Sequence, residues 1–79
     1  MNDIQTQVIE IIADRAGCAV SDVKVESRLQ EDLDLDSLDR LEIMMDLEKE
    51  FSFTCPDDEY AKLNTTQDII DVVDRLAKK

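Results

Sequence analysis

Apolar residues recur at helical spacing in three separate segments of this chain and almost nowhere alternate as a strand requires, and this restricts the fold more than anything else in the sequence. In the first segment Ile4, Val8, Ile11, Ile12 and Ala16 share a face. Asn2 or Asp3 stands where an N-cap belongs, and Gly17 is placed to end the helix in the left-handed conformation. In the last segment Ile69, Ile70, Val72, Val73 and Leu76 form a broad apolar face. Thr65-Thr66-Gln67-Asp68 precedes it as a capping box with Asp at the third helical position, and Lys78 and Lys79 follow where a helix dipole favours cations. Between Phe51 and Thr65, Pro56 is suited to the first position of a helix of one or two turns, with Cys55, Tyr60 and Leu63 inward. Residues 17–36 show no such period, but Val20, Val23, Val25, Leu29 and Leu33 recur often enough to pin the segment across the helices as an ordered crossover. A short strand at Val23-Lys24-Val25 would lack a pairing partner. The expected architecture is all-α: a four-helix bundle with three longer helices, one short helix and a long ordered loop between helices 1 and 2. Seventy-nine residues allow one such domain, over 1–79.

The second helical segment, residues 36–51, has more apolar surface than a core needs. At about 100° per residue, Ile43, Met44, Leu47 and Phe51 cluster on one side. Leu38, Leu41 and Met45 form a second stripe roughly 140° away by the same arithmetic, too far round to share one core contact. The second stripe packs under the 17–36 loop, is ordinary exposed apolar surface, or serves as a docking face. Glu42, Asp46 and Glu48 flank it, which gives the apolar centre and charged rim of a transient interface, and Met45 can repack against different partners. Twelve of the 20 acids but only two of the nine bases lie in residues 31–60, so nearly the whole net charge of −11 surrounds this helix.

That charge excludes a nucleic-acid binder, which needs clustered Lys and Arg, and points to basic partners. With no histidine there is no Ser-His-Asp or Cys-His machinery, and a single glycine cannot make a phosphate-cradling loop. Cys18 and Cys55 form no C-x-x-C pair and read as reduced, partly buried thiols. No apolar run approaches the roughly 20 residues of a membrane span. The N-terminal stretch, with Asp3 and Glu10, does not resemble a signal peptide, and the expected location is the cytoplasm.

The aspartate-rich run Asp32-Leu33-Asp34-Leu35-Asp36 invites a calcium reading and fails it. Counting from Asp32, position 6 is Ser37 where an EF-hand loop needs glycine, and position 12 is Ile43 where it needs a bidentate glutamate. Leu33 and Leu35 read as inward residues of a loop. Ser37 at the helix start serves as an N-cap or first-turn residue, but a hydroxyl there also stands at the positive end of a helix dipole, which tolerates an added phosphate ester beside the surplus apolar stripe.

The segment Asp36-Ser37-Leu38-Asp39 resembles the attachment motif of the acyl carrier proteins of dissociated (type II) fatty-acid synthesis. Glu31-Asp32-Leu33, Leu41-Glu42, Leu47-Glu48-x-Glu50-Phe51, Pro56-Asp57, Thr65-Thr66 and Gly17 agree with it, so the resemblance covers essentially the whole chain. It implies that Ser37 receives a 4′-phosphopantetheine arm from coenzyme A through a magnesium-dependent phosphopantetheinyl transferase, and that the arm's thiol carries acyl groups as thioesters. It implies a monomeric carrier that is not an enzyme. Asp36 and Asp39 would address the transferase, and Leu38, Leu41, Glu42, Met45, Asp46 and Glu48 would meet basic patches on ketoacyl synthases, reductases and dehydratases. The acyl chain would shelter near Leu47, Phe51, Cys55 and Leu63.

Three departures from the family pattern stand out. Asp34-Leu35 replaces a common Gly-Ala and would make the approach to Ser37 stiffer and more acidic. Arg40 projects from the core side of the helix wheel, from where its stem can snorkel toward acidic neighbours. Tyr60 and Cys55 would alter the cavity. The alternatives are a carrier for a polyketide or other specialised acyl pathway, and a non-covalent acidic adaptor using the same helix.

Overall fold

Four helices carry the chain in the computed structural model, which describes residues 3–77. They are α1 (Asp3–Ala16), α2 (Ser37–Phe51), the single turn α3 (Asp57–Tyr60) and α4 (Thr66–Ala77). No strand occurs among the described residues. Helix α1 packs against both α2 and α4, and α2 against α4, as the expected all-α bundle of three longer helices and one short helix requires.

Local sequence sets the ends of each element. Gly17 holds φ +72°, its N–H donates to the Ala13 and Asp14 carbonyls, and the Cys18 N–H donates to Ala13 at 3.1 Å. This Schellman arrangement satisfies the last carbonyls of α1. Asp3 is the first residue of α1, while the alternative cap Asn2 and the terminal Lys78 and Lys79 lie outside the described residues. Pro56 does not open α3 from the first helical position. With ψ 152° it is the N-cap, and Asp57 begins the turn. At α4 the Thr65 hydroxyl accepts from the Asp68 N–H at 3.2 Å while the Asp68 carboxylate accepts from the Thr65 N–H at 3.0 Å, a complete capping box.

The 17–36 segment is ordered by two kinds of contact. Val23, Leu29 and Leu35 are buried in the same core as Val8 and Ile12 of α1, Ile43, Met44 and Leu47 of α2, and Ile69, Ile70, Val72 and Val73 of α4. Leu29 is wholly inaccessible; truncation to alanine would cost about 2–5 kcal/mol. The second contact is with the start of α4. The Thr66 and Gln67 N–H groups, which have no partner within their helix, donate to the Ser27 and Val25 carbonyls at 3.0 and 2.9 Å, and the Leu29 N–H donates to the Asn64 carbonyl at 2.8 Å. An isolated antiparallel bridge joins Arg28 to Thr65. Val25 and Leu33 are half-buried. Val20 is a correction: it lies in a 3-10 turn (Val20–Asp22), is 50% exposed and pins nothing. No strand forms at 23–25, because the backbone acceptor of Val25 is used by α4.

The approach to α2 is built by the same logic. The Asp32 carboxylate accepts the Arg28 N–H at 2.8 Å and the Arg28 carbonyl accepts the Asp32 N–H at 2.8 Å, closing a turn. Asp34 then takes φ 59°, turning the chain so that Leu35 drops into the core and Asp36 and Ser37 emerge at the surface.

Candidate functional site

The start of α2 assigns different tasks to its first residues. Asp36 is the N-cap: its carboxylate accepts the Asp39 N–H at 3.0 Å, and the Asp39 carboxylate accepts the Asp36 N–H at 3.3 Å. Ser37 is therefore the first helical residue and not the cap. Because the capping box is completed by the Asp36 and Asp39 carboxylates, the cap does not use the Ser37 hydroxyl, which stands exposed. The Arg40 guanidinium lies beside it, with Nη2 donating to Oγ at 3.5 Å.

Along α2 the two stripes separate as the angular arithmetic requires. Ile43, Met44 and Leu47 are buried and Phe51 half-buried, whereas Leu38, Leu41 and Met45 are 61%, 40% and 51% exposed. The 17–36 loop therefore does not cover the second stripe. Glu42 and Asp46 rim it, and both are engaged by Arg15 from the last turn of α1, at 2.8 and 3.2 Å. Glu48 differs. It is half-buried, and its carboxylate accepts the Cys55 N–H at 2.6 Å, holding the 52–55 segment against α2.

Among the described residues Arg40 forms no ion pair with an acid. Its Nη1 donates to the Leu63 carbonyl at 3.0 Å, tying the first turn of α2 to the segment between α3 and α4. Beside it lies an open polar cleft of about 190 Å³ lined by Arg28, Gln30, Glu31, Arg40 and Asn64. The proximity of Arg40 to Ser37 follows from their i, i+3 spacing, but its anchoring on Leu63, 23 residues away, had no signal in the sequence.

Residues 6–73 match the family model described as a phosphopantetheine attachment site. The chain is 40% identical over 73 residues to an acyl carrier protein of Rickettsia bellii (strain RML369-C), covering 92% of this chain and 85% of that protein. It belongs to the acyl carrier protein family. An acyl carrier protein of Porphyromonas gingivalis (strain ATCC 33277) is 36% identical over 78 residues, covering 99% of this chain and all of the relative. A crystal structure of the acyl carrier protein from Thermotoga maritima superposes with a TM-score of 0.75 at 30% identity, over 87% of this chain and 80% of that one.

The cofactor of such a carrier is 4′-phosphopantetheine, whose terminal thiol supplies the chemistry by holding acyl groups as thioesters. The residues present fit it: an exposed serine hydroxyl, released from capping, with a guanidinium beside it. The four residues expected around the acyl chain converge on one core. Leu47, Cys55 and Leu63 are buried in it, and half-buried Phe51 and Tyr60 pack against it. Burial, reinforced by the Glu48 and Glu59 carboxylates, pushes the Cys55 thiol up to about 11, and burial likewise raises the Tyr60 hydroxyl. Cys55 is thus a neutral packing group.

Proposed function

We propose that Ser37 is the attachment residue and that the chain carries acyl groups for fatty-acid synthesis in the cytoplasm without itself catalysing a reaction. The observation that carries this is the division of labour at the start of α2: Asp36 caps the helix while the Ser37 hydroxyl, not used in the cap, is exposed beside an apolar stripe. Transfer from coenzyme A forms the Ser37 Oγ–P bond and breaks the P–O bond of the coenzyme's pyrophosphate, so that Oγ becomes the bridging oxygen of a phosphodiester, 3′,5′-ADP leaves and the hydroxyl proton is released.

Leu38, Leu41 and Met45 would then be the centre of the docking face, and Asp36, Asp39, Glu42 and Asp46 its acidic rim for the transferase and for basic patches of ketoacyl synthases, reductases and dehydratases. Glu48 contributes charge to that region while positioning Cys55. The acyl chain would enter the core beside Leu47, Phe51, Cys55 and Leu63. Helix α3 is one turn long and contributes no buried residue, so it is the element that moves at least cost. No described helix is long and apolar enough to cross a membrane.

The test is to incubate the purified chain with coenzyme A, magnesium and a broad-specificity phosphopantetheinyl transferase. One arm per chain is expected by mass, and none on Ser37→Ala. Equal modification of Ser37→Ala would place the site elsewhere.

A further inference from the structure

Four arginines lie among the described residues, and three of them pair with carboxylates: Arg15 with Glu42 and Asp46, Arg28 with Glu31 and Asp32, and Arg75 with Glu59. Arg40 does not. In a chain with a net charge of −11, its guanidinium is half-buried, held by a neutral carbonyl at 3.0 Å, and has its second amino group 3.5 Å from Ser37 Oγ. A half-buried guanidinium bonded to a neutral carbonyl and not to a carboxylate is unexpected in a protein that has acids to spare. The geometry accounts for it if the anion arrives only with the modification. A phosphate esterified to Ser37 would carry its charged oxygens two bonds beyond Oγ, an atom that lies 3.5 Å from Nη2, and the open cleft of about 190 Å³ lined by Arg28, Gln30, Glu31, Arg40 and Asn64 leaves room beside the guanidinium.

We infer that Arg40 is a positioning residue for the arm: anchored on the Leu63 carbonyl, its guanidinium pairs with the phosphodiester on Ser37 and fixes the root of the arm over the junction of α2 with the α3–α4 segment. Two features support a fixed pair over a loose one. The Leu63 bond holds the planar fork in place before the anion arrives, so little side-chain freedom remains to be lost. Asp36 and Asp39, within one turn of Arg40 in sequence, accept each other's backbone N–H groups in the capping box, and neither these acids nor Glu31 of the adjoining cleft forms an ion pair with Arg40. A lysine at 40 would keep the charge but not the fork that bonds a carbonyl and a phosphate together.

The inference rests on Ser37 being the attachment residue, and the experiment separates the two. Wild type, Arg40→Gln and Arg40→Lys are loaded fully with excess transferase, the adduct is mapped by mass, and thermal midpoints are measured for the unloaded and loaded form of each. Losing the Leu63 bond lowers both forms of Arg40→Gln alike; the informative quantity is the change on loading. In wild type, loading is expected to raise the midpoint by about 3–5 °C, the size a partly exposed charge pair produces in so small a domain. Arg40→Gln loses that rise, Arg40→Lys retains part of it, and the phosphorus resonance of the loaded chain differs between wild type and Arg40→Gln. An equal rise in wild type and Arg40→Gln, with the same phosphorus resonance, overturns the role of Arg40 while leaving Ser37 in place. An arm found on another residue overturns both readings. If Arg40→Gln does not fold, wild type in 1 M salt decides: the rise on loading disappears if it is electrostatic, and its persistence contradicts the pair.

Discussion

Ser52 and Asp34 are the non-glycine residues among those described that hold a positive φ, at 56° and 59°. Ser52 follows α2 and lets the Phe53 N–H reach the Glu48 carbonyl at 3.2 Å, the role that glycine fills after α1. The left-handed conformation costs a serine about 1–2 kcal/mol, and glycine gives back about 0.5–1 kcal/mol in extra unfolded-state entropy. Ser52→Gly is expected to stabilise the chain by about 0.5–1 kcal/mol in urea denaturation; destabilisation would mean that the hydroxyl contributes more than the strain costs. Asp34 takes the turn where the family pattern often has glycine, and the buried Leu35 beside it explains how the chain manages: the apolar anchor holds the conformation that glycine would otherwise permit. Cys55 provides a residue-scale test in pH. With its thiol near 11 against an ordinary 9.0, the neutral form is favoured by folding, so its contribution to stability is full below about pH 9 and is lost as pH rises to about 11. Alkylation at pH 8 is expected to label half-buried Cys18 well before Cys55, as peptide mapping would read; equal rates would contradict the packed environment.

At the scale of elements, α2 was legible in the sequence because both of its stripes follow from angle alone. The three exposed residues, Leu38, Leu41 and Met45, are those that arithmetic placed off the core. The interhelix contacts were not legible for the complementary reason. Arg15 meets Glu42 and Asp46 across separations of 27 and 31 residues, and which acids an arginine finds at that distance depends on how α1 crosses α2. The same holds for Arg40, whose acceptor is a backbone carbonyl rather than the acids near it in sequence. Pro56 shows how boundaries slip by one residue, since proline suits the cap and the first helical position almost equally. The Arg15 contacts carry a prediction. They are part-exposed and worth at most about 1 kcal/mol, yet they occupy the rim that a basic partner would use. Arg15→Ala is expected to cost little stability and to tighten binding to a ketoacyl synthase by a few-fold in calorimetry. Weaker binding would show that Arg15 orients the two acids for the partner instead of competing with it.

On the scale of the whole molecule, the acidic excess has a location. Twelve of 20 acids lie within residues 31–60, around Ser37 and an apolar stripe that the core does not use. Charge concentrated in this way speeds encounter with basic partners and keeps residence short, and association is expected to weaken between low and physiological salt. Helices α1, α2 and α4 hold a common core, while α3 contributes no buried side chain and is joined to it by half-buried Tyr60 and by the Glu59–Arg75 pair. Intact-mass analysis of the protein isolated from its own cell, followed by fragmentation, tests the carrier role most directly. A phosphopantetheine adduct on the peptide containing Ser37, with part of the population bearing an acyl thioester, is the expected result; a uniformly bare Ser37 hydroxyl would contradict it.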